Sequence, residues 1–124
     1  MPYEISTGMS FSAAHYIEGY EGDCARLHGH TWNVRVAVRA DKEGSTGLTY
    51  DFRKLGALVG EVIGLVDHSL LNDLPFFKGK NPTAETIAEW VYHEISRRIE
   101  DRGVTVTRVE VWESPVNCAT YLEE

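Results

Sequence analysis

Long apolar runs are missing from this chain of 124 residues. No stretch approaches the roughly 20 consecutive apolar residues that carry a helix across a bilayer, so a helical membrane span is excluded. The opening residues Met1-Pro2-Tyr3-Glu4 lack the basic and apolar regions of a secretory signal, and the expectation is a cytoplasmic location. Cysteine is scarce, with two residues, Cys24 and Cys118. That excludes a disulfide framework and predicts free thiols in a reducing compartment. Basic residues are outnumbered, 12 Lys and Arg against 19 Asp and Glu, for a net charge of −7. A nucleic-acid backbone is held by clustered Lys and Arg, so that class of partner is excluded too. The basic residues gather only as Arg35 with Arg39 and as Lys78 with Lys80, enough for one small phosphorylated ligand. There are no internal repeats, low-complexity segments or linkers, and 43% hydrophobic content is that of one soluble domain spanning 1–124.

What is present is alternation followed by helical periodicity. Residues 3–15 alternate, with Tyr3, Ile5, Met9, Phe11 and Ala13 on one side and Glu4, Ser6, Gly8, Ser10 and Ser12 on the other, the pattern of a half-buried strand. A loop over 16–27 leads to a second alternating strand over 28–40. Its apolar face carries Trp32, Val34, Val36 and Val38, and its other face Asn33, Arg35, Ala37 and Arg39. Residues 41–47 read as a turn. Asp51 predicts an N-cap for a helix whose Leu55, Leu58, Val59, Val62, Ile63 and Val66 recur at helical spacing and which ends near Asp67-His68. After a loop containing Asn72, Pro75, Gly79 and Pro82, Thr83 caps a second helix. There Ile87, Val91, Ile95 and Ile99 repeat, Glu85 and Arg97, Arg98 and Arg102 suit the dipole, and Gly103 is the stop. A third strand over 104–113 and a short fourth ending near Tyr121 complete an α+β chain: a four-stranded antiparallel sheet with two helices on one face. The sheet's other face is polar and its edges are open, so closure through other copies of the chain is expected.

Against this pattern three histidines stand out. His15 has the parity of Phe11 and Ala13, and His28 and His30 have the parity of Trp32 and Val34. Since alternate residues of a strand share a face, antiparallel pairing of the two strands gathers all three imidazoles on the buried side, with Gly29 permitting close backbone approach. Three neutral imidazoles are what zinc takes when a fourth position stays open for water or substrate. Cys24, four residues before His28 in a loop rich in glycine and charge, reads as a reactive or metal-adjacent thiol; Cys118 reads as a small buried hydrophobe.

Taken in order, Phe11-Ser12-Ala13-Ala14-His15, Cys24-Ala25-Arg26-Leu27-His28-Gly29-His30, Gly47-Leu48-Thr49-Tyr50-Asp51-Phe52, Asp67-His68-Ser69-Leu70-Leu71-Asn72, Asn81-Pro82-Thr83-Ala84-Glu85 and Trp112-Glu113-Ser114 resemble, along the whole chain, the family of 6-pyruvoyl- and 6-carboxy-tetrahydropterin synthases. The resemblance implies the tunnelling fold, in which ββααββ subunits join into a trimeric barrel and two trimers stack as a homohexamer with active sites at subunit interfaces. It implies a phosphorylated pterin substrate, 7,8-dihydroneopterin triphosphate. Three residues between the cysteine and the His-Gly-His pair resemble the carboxy-forming branch of queuosine biosynthesis; the pyruvoyl-forming animal enzymes have a longer spacing. Two positions depart from the family's habit, Trp32 where tyrosine is commoner and the polar Leu48-Thr49-Tyr50, and both are expected to lie away from the chemistry.

The roles follow from chemistry and resemblance together. Zinc at His15, His28 and His30 polarises substrate hydroxyls as a Lewis acid. Cys24 is a candidate base, because a thiol near a metal has a depressed pKa and the thiolate is the reactive form; His68, oriented by Asp67 or Glu113, is a second. The pair Asp67-His68 also reads as a plain helix C-terminus. Glu113 has the parity of Val109 and Val111, so its carboxylate points inward and needs a partner. The resemblance implies that this partner is the amino-amide edge of the pterin, with Thr83 and Glu85 nearby, although helix capping explains those two equally well. The expected reaction is a zinc-dependent carbon–oxygen lyase reaction releasing triphosphate and acetaldehyde to leave 6-carboxy-tetrahydropterin. The alternatives are the pyruvoyl-forming reaction, a zinc hydrolase, and a zinc-stabilised pterin-binding module.

Overall fold

A computed structural model describes residues 3–41 and 47–123; the central part of the turn expected over 41–47 lies outside the described residues. The element order is β1 (Ile5–His15), β2 (His28–Ala40), α1 (Phe52–Ile63), β3 (Ser69–Leu70), α2 (Ala84–Arg98), β4 (Val104–Trp112) and β5 (Cys118–Tyr121). The sheet is ordered β3-β1-β2-β4-β5. It therefore has five strands where four were expected. The addition is the two-residue β3, which pairs parallel with β1 at Ala13 and Ala14, too short for any periodicity to reveal.

The long pair β1 and β2 sets the frame. Its antiparallel register runs from Ile5 opposite Val38 to His15 opposite His28, and the helices pack on the face that buries Phe11, Ala13, His15, Trp32, Val34, Val36 and Val38. Leu55, Val59, Val62 and Ile63 of α1 and Ile87, Ala88, Val91 and Ile95 of α2 complete that core, each large side chain contributing roughly 1.5–3 kcal/mol on burial. On the opposite face Ser10, Ser12, Asn33, Arg35 and Arg39 are exposed, as their parity requires. Three positions break the pattern. Tyr3 precedes the first strand and is exposed, Met9 is exposed beside Gly60 of α1, and Ala37 is buried.

Ala37 stands at a bulge. Ala37 pairs with Arg108 while Val38 pairs with Val106, so Thr107 is an extra residue in β4. Val104 and Val106 face the helices before it, Val109 and Val111 after it; the inward parity changes from even to odd.

Both caps form. Asp51 accepts from the Arg53 N–H at 2.8 Å and Thr83 from the Thr86 N–H at 3.1 Å, satisfying donors that a helix start leaves free. Both helices end sooner than expected. α1 stops at Ile63, and Gly64 to His68 form turns, so Asp67 and His68 do not belong to a helix C-terminus. α2 stops at Arg98, whose guanidinium donates to the Glu94 carbonyl at 3.0 Å and to the Glu94 carboxylate at 2.8 Å, and Ile99 adopts extended backbone. Gly103 instead makes the positive-φ turn (φ 76°) into β4 and accepts from the Asp41 N–H at 2.8 Å.

Candidate metal centre

The register that pairs His15 with His28 and Ala13 with His30 brings the three imidazoles to one end of the sheet, on its helix-covered face. One ligating nitrogen from each lies within 4.8 Å of the others, and among the described residues this is the one such cluster. Their environments fix which nitrogen is free. His15 Nδ1 lies 2.8 Å from the Pro82 carbonyl, and His28 Nδ1 lies 2.6 Å from the Arg26 carbonyl. A carbonyl only accepts, so both Nδ1 atoms carry the proton and both Nε2 atoms present a lone pair. These two Nε2 atoms are 3.1 Å apart, an approach of two lone pairs with no proton of their own between them. His30 Nε2 is buried with no hydrogen-bond partner; Glu113 Oε1 is 3.4 Å away.

Burial, opposed in part by Glu113, holds the pKa values of His15 and His30 below the ordinary histidine range, which keeps both rings neutral. Converging lone pairs, fixed Nδ1 tautomers and an orphaned buried nitrogen fit a zinc-type cation, whose histidine ligands characteristically donate their second N–H to a carbonyl or carboxylate.

Trp32 corrects an expectation. Its ring meets His15 edge-on at 4.9 Å and His30 at 5.2 Å and stacks on Phe11 at 5.8 Å, while its Nε1 donates to the Ala13 carbonyl at 3.2 Å. It is the fully buried floor of the cluster. Neither Trp32 nor the carbonyls of Arg26 and Pro82 were singled out for the site from sequence; the parity of Trp32 with His28 and His30 was the signal available.

Cys24 sits in a single 3-10 turn (Asp23–Ala25) of the β1–β2 loop, half-buried, and its thiol is free and outside the imidazole cluster. Cys118 is exposed on the edge strand β5; it is not the buried hydrophobe expected, because β5 has no further strand beside it.

Glu113 follows β4 with the inward parity that the bulge at Thr107 sets. It faces a cavity of about 360 Å³ bounded by Ala84, Glu85, Asn117, Cys118 and Ala119. Glu85 therefore joins Glu113 at one cavity, whereas the Thr83 hydroxyl is engaged by Thr86 within the cap.

Asp67 and His68 lie elsewhere. Asp67 Oδ1 accepts from the Ser12 N–H at 3.0 Å, the His68 N–H donates to the Ser12 carbonyl at 2.6 Å, and His68 Nδ1 is 3.0 Å from Asp67. The Ser12 N–H and His68 hold the Asp67 carboxyl below the usual range. With φ at 57°, the His68 side chain is 80% exposed in a shallow depression whose lining includes Ser12, Ala14 and Thr31 and also Ala13 and His30. Among the described residues His68 is bonded to Asp67 and Ser12 and is not one of the three clustered imidazoles.

Two layers of helix and sheet, a preformed three-histidine centre and an adjoining small cavity with an inward carboxylate define a metalloenzyme-like architecture. Comparison with known proteins agrees. The model of the family described as 6-pyruvoyl tetrahydropterin synthase matches residues 4–124, and the chain belongs to that family of enzymes. Several curated relatives, 28–38% identical, are named 6-carboxy-5,6,7,8-tetrahydropterin synthase. That of Synechocystis sp. is 38% identical over 118 residues, covering 90% of this chain and 87% of the relative. A relative from Pyrococcus furiosus, 36% identical over 84% of this chain and 83% of its own length, is named dihydroneopterin monophosphate aldolase. Among solved structures, the 6-pyruvoyl tetrahydropterin synthase of Caenorhabditis elegans superposes with a TM-score of 0.87 at 27% identity, covering 98% of this chain and 96% of that one.

Proposed function

We propose that this chain is a zinc-dependent lyase that converts 7,8-dihydroneopterin triphosphate and one water to 6-carboxy-5,6,7,8-tetrahydropterin, releasing acetaldehyde and triphosphate, in queuosine biosynthesis. The observation that carries the reading is the 3.4 Å approach of Glu113 to the orphaned Nε2 of His30, which joins the imidazole cluster to a cavity of ligand size. The three residues between Cys24 and His28 and the names of several relatives favour the carboxy-forming branch.

The Glu113 carboxylate accepts two N–H bonds from the amino-amide edge of the pterin, a charge-assisted two-point contact, and so aims the side chain of the substrate at the imidazoles. His15, His28 and His30 would hold zinc, which supplies Lewis-acid polarisation of the substrate hydroxyls. Cys24 as thiolate takes a proton from the substrate side chain, and His68, paired with Asp67, moves a second one. Since His68 is largely exposed and lies outside the imidazole cluster of its own chain, it serves the site of a neighbouring copy, in a homohexameric assembly whose sites lie at subunit boundaries in the cytoplasm. Glu113 serves its own chain.

Incubation of the zinc-loaded chain with 7,8-dihydroneopterin triphosphate should give 6-carboxy-tetrahydropterin and acetaldehyde by mass spectrometry. A pyruvoyl product without acetaldehyde would sink the carboxy branch, and turnover of the monophosphate alone would sink the substrate. Mixing Cys24→Ala chains with His68→Ala chains should restore activity, whereas mixing Cys24→Ala with Glu113→Ala relocates both lesions without separating the functions of one site. Restoration by the second mixture would show that Glu113 crosses the boundary.

A further inference from the structure

The loop that carries Cys24 has no regular strand or long helix to hold it, yet its first three residues are pinned on both flanks. Asn72 Oδ1 accepts from the Tyr16 N–H at 3.0 Å, and Asn72 Nδ2 donates to the Tyr16 carbonyl at 2.9 Å. Asn81 repeats the arrangement two residues on, accepting from the Glu18 N–H at 2.9 Å and donating to the Glu18 carbonyl at 3.0 Å. Each side-chain amide thus takes the place of a strand's peptide group. For Asn72 the substitution continues the ladder, because β3 pairs Ser69 with Ala13 and Leu70 with Ala14 before the chain turns away.

Between the two clamped residues, Ile17 points its N–H at the Cys24 carbonyl, 2.8 Å away. The 3-10 turn of Cys24 is closed by Ala25 N–H to Gly22 at 3.1 Å and Arg26 N–H to Asp23 at 3.0 Å. The Arg26 carbonyl then receives His28 Nδ1. Cys24 is therefore tied to the imidazoles on one side through Arg26, and to the body of the protein on the other through Ile17. Among the described residues, the two asparagine amides supply the side-chain hydrogen bonds that hold the backbone of Tyr16 and Glu18, the segment from which Ile17 reaches. Asn81 also adjoins Pro82, whose carbonyl orients His15.

We propose that Asn72 and Asn81 are positioning residues for Cys24: by clamping Tyr16 and Glu18 they set, through the Ile17–Cys24 backbone bond, where the thiol stands relative to the three imidazoles. The kinetic part of this inference rests on the reading of Cys24 as the base; the structural part does not. Two-point amide contacts are rigid where a single bond would pivot, and an error of about 1 Å in a reacting group costs on the order of 10²-fold in rate.

The test uses the full-length chain loaded with zinc, with Asn72→Ala and Asn81→Ala made singly and together. In the double variant the Ile17 amide should exchange with solvent about tenfold faster or more, because the clamps no longer oppose local opening of the loop. Iodoacetamide labelling of Cys24, resolved from Cys118 by peptide mass mapping, should change in rate and in pH profile. kcat should fall about 10- to 100-fold while KM and zinc stoichiometry hold, a split that general destabilisation would not produce. If the alanine variants fail to fold, Asn72→Asp and Asn81→Asp keep the acceptor and lose the donor, and should show the same changes in smaller degree. Wild-type Ile17 exchange and wild-type Cys24 labelling in the folded variants overturn the inference. Full turnover of Cys24→Ala would overturn the base reading alone, leaving the clamp to be judged by exchange and labelling.

Discussion

The two ends of the sheet treat polar groups in opposite ways. At the end where β2 leaves and β4 enters, they are paired with each other. Lys54 Nζ meets the Asp101 carboxylate at 3.0 and 3.3 Å and lies 5.7 Å from the Tyr50 ring centre. Burial together with Asp101 pushes the Tyr50 hydroxyl up to about 12, and Asp41 and Gly103 close the backbone. At the end where β1 leaves and β2 enters, three imidazoles converge, with the Nδ1 atoms of His15 and His28 committed to carbonyls and the Nε2 of His30 buried without a partner. A protein selected only for stability would pair or remove that last nitrogen, since an unsatisfied buried polar atom costs about 1–3 kcal/mol. The contrast singles out the incomplete end as the candidate site, the one able to hold a metal ion.

The comparison breaks most visibly with His28→Ala, which should abolish zinc binding by metal analysis and all turnover with it while the sheet signal in circular dichroism persists; a chain that unfolded with the metal would be a structural zinc module. Cys24→Ala should keep zinc and melting temperature and lose roughly 10²- to 10⁴-fold in kcat. Retained turnover there would pass the base role to His68. Trp32→Ala should cost about 3–5 kcal/mol in denaturant unfolding and loosen zinc about 10- to 100-fold, as loss of a metal site's supporting shell does. At the opposite end Lys54→Met should cost less than about 1 kcal/mol, because the pair is solvent-exposed, and leave kcat unchanged; a change in kcat would mean that the two ends are coupled.

Much of this was legible in the residue order. Strict alternation in β1 and β2 determined parity, and parity alone put His15, His28 and His30 on one face. The N-caps at Asp51 and Thr83 were readable because a polar side chain just before a helix start has a natural partner in the free N–H two or three residues on. What escaped was non-local or made by backbone. β3 exists because Ser69 and Leu70 reach an edge of β1 more than fifty residues earlier. The early end of α2 comes from Arg98 folding back on Glu94. The tautomers of His15 and His28 depend on carbonyls, which every residue has and no sequence pattern marks. Glu113 was placed correctly by counting back only to Val109; counting back to Val104 would have put it on the wrong face.

That count gives β4 an unusual genetic rigidity. A codon lost or gained between Val109 and Trp112, beyond the bulge, is two lesions at once. With Val106 and Val109 held in the core, deletion of Glu110 would turn Val111 outward and Trp112 inward and swing Glu113 off its cavity, whereas deletion of Thr107 would only remove the bulge and restore regular alternation. Surface loops tolerate insertions, but a length change here carries folding and chemistry down together. Drift in the length of this chain should therefore collect outside the segment 109–112, and an engineered scaffold built on it should leave that segment's residue count untouched.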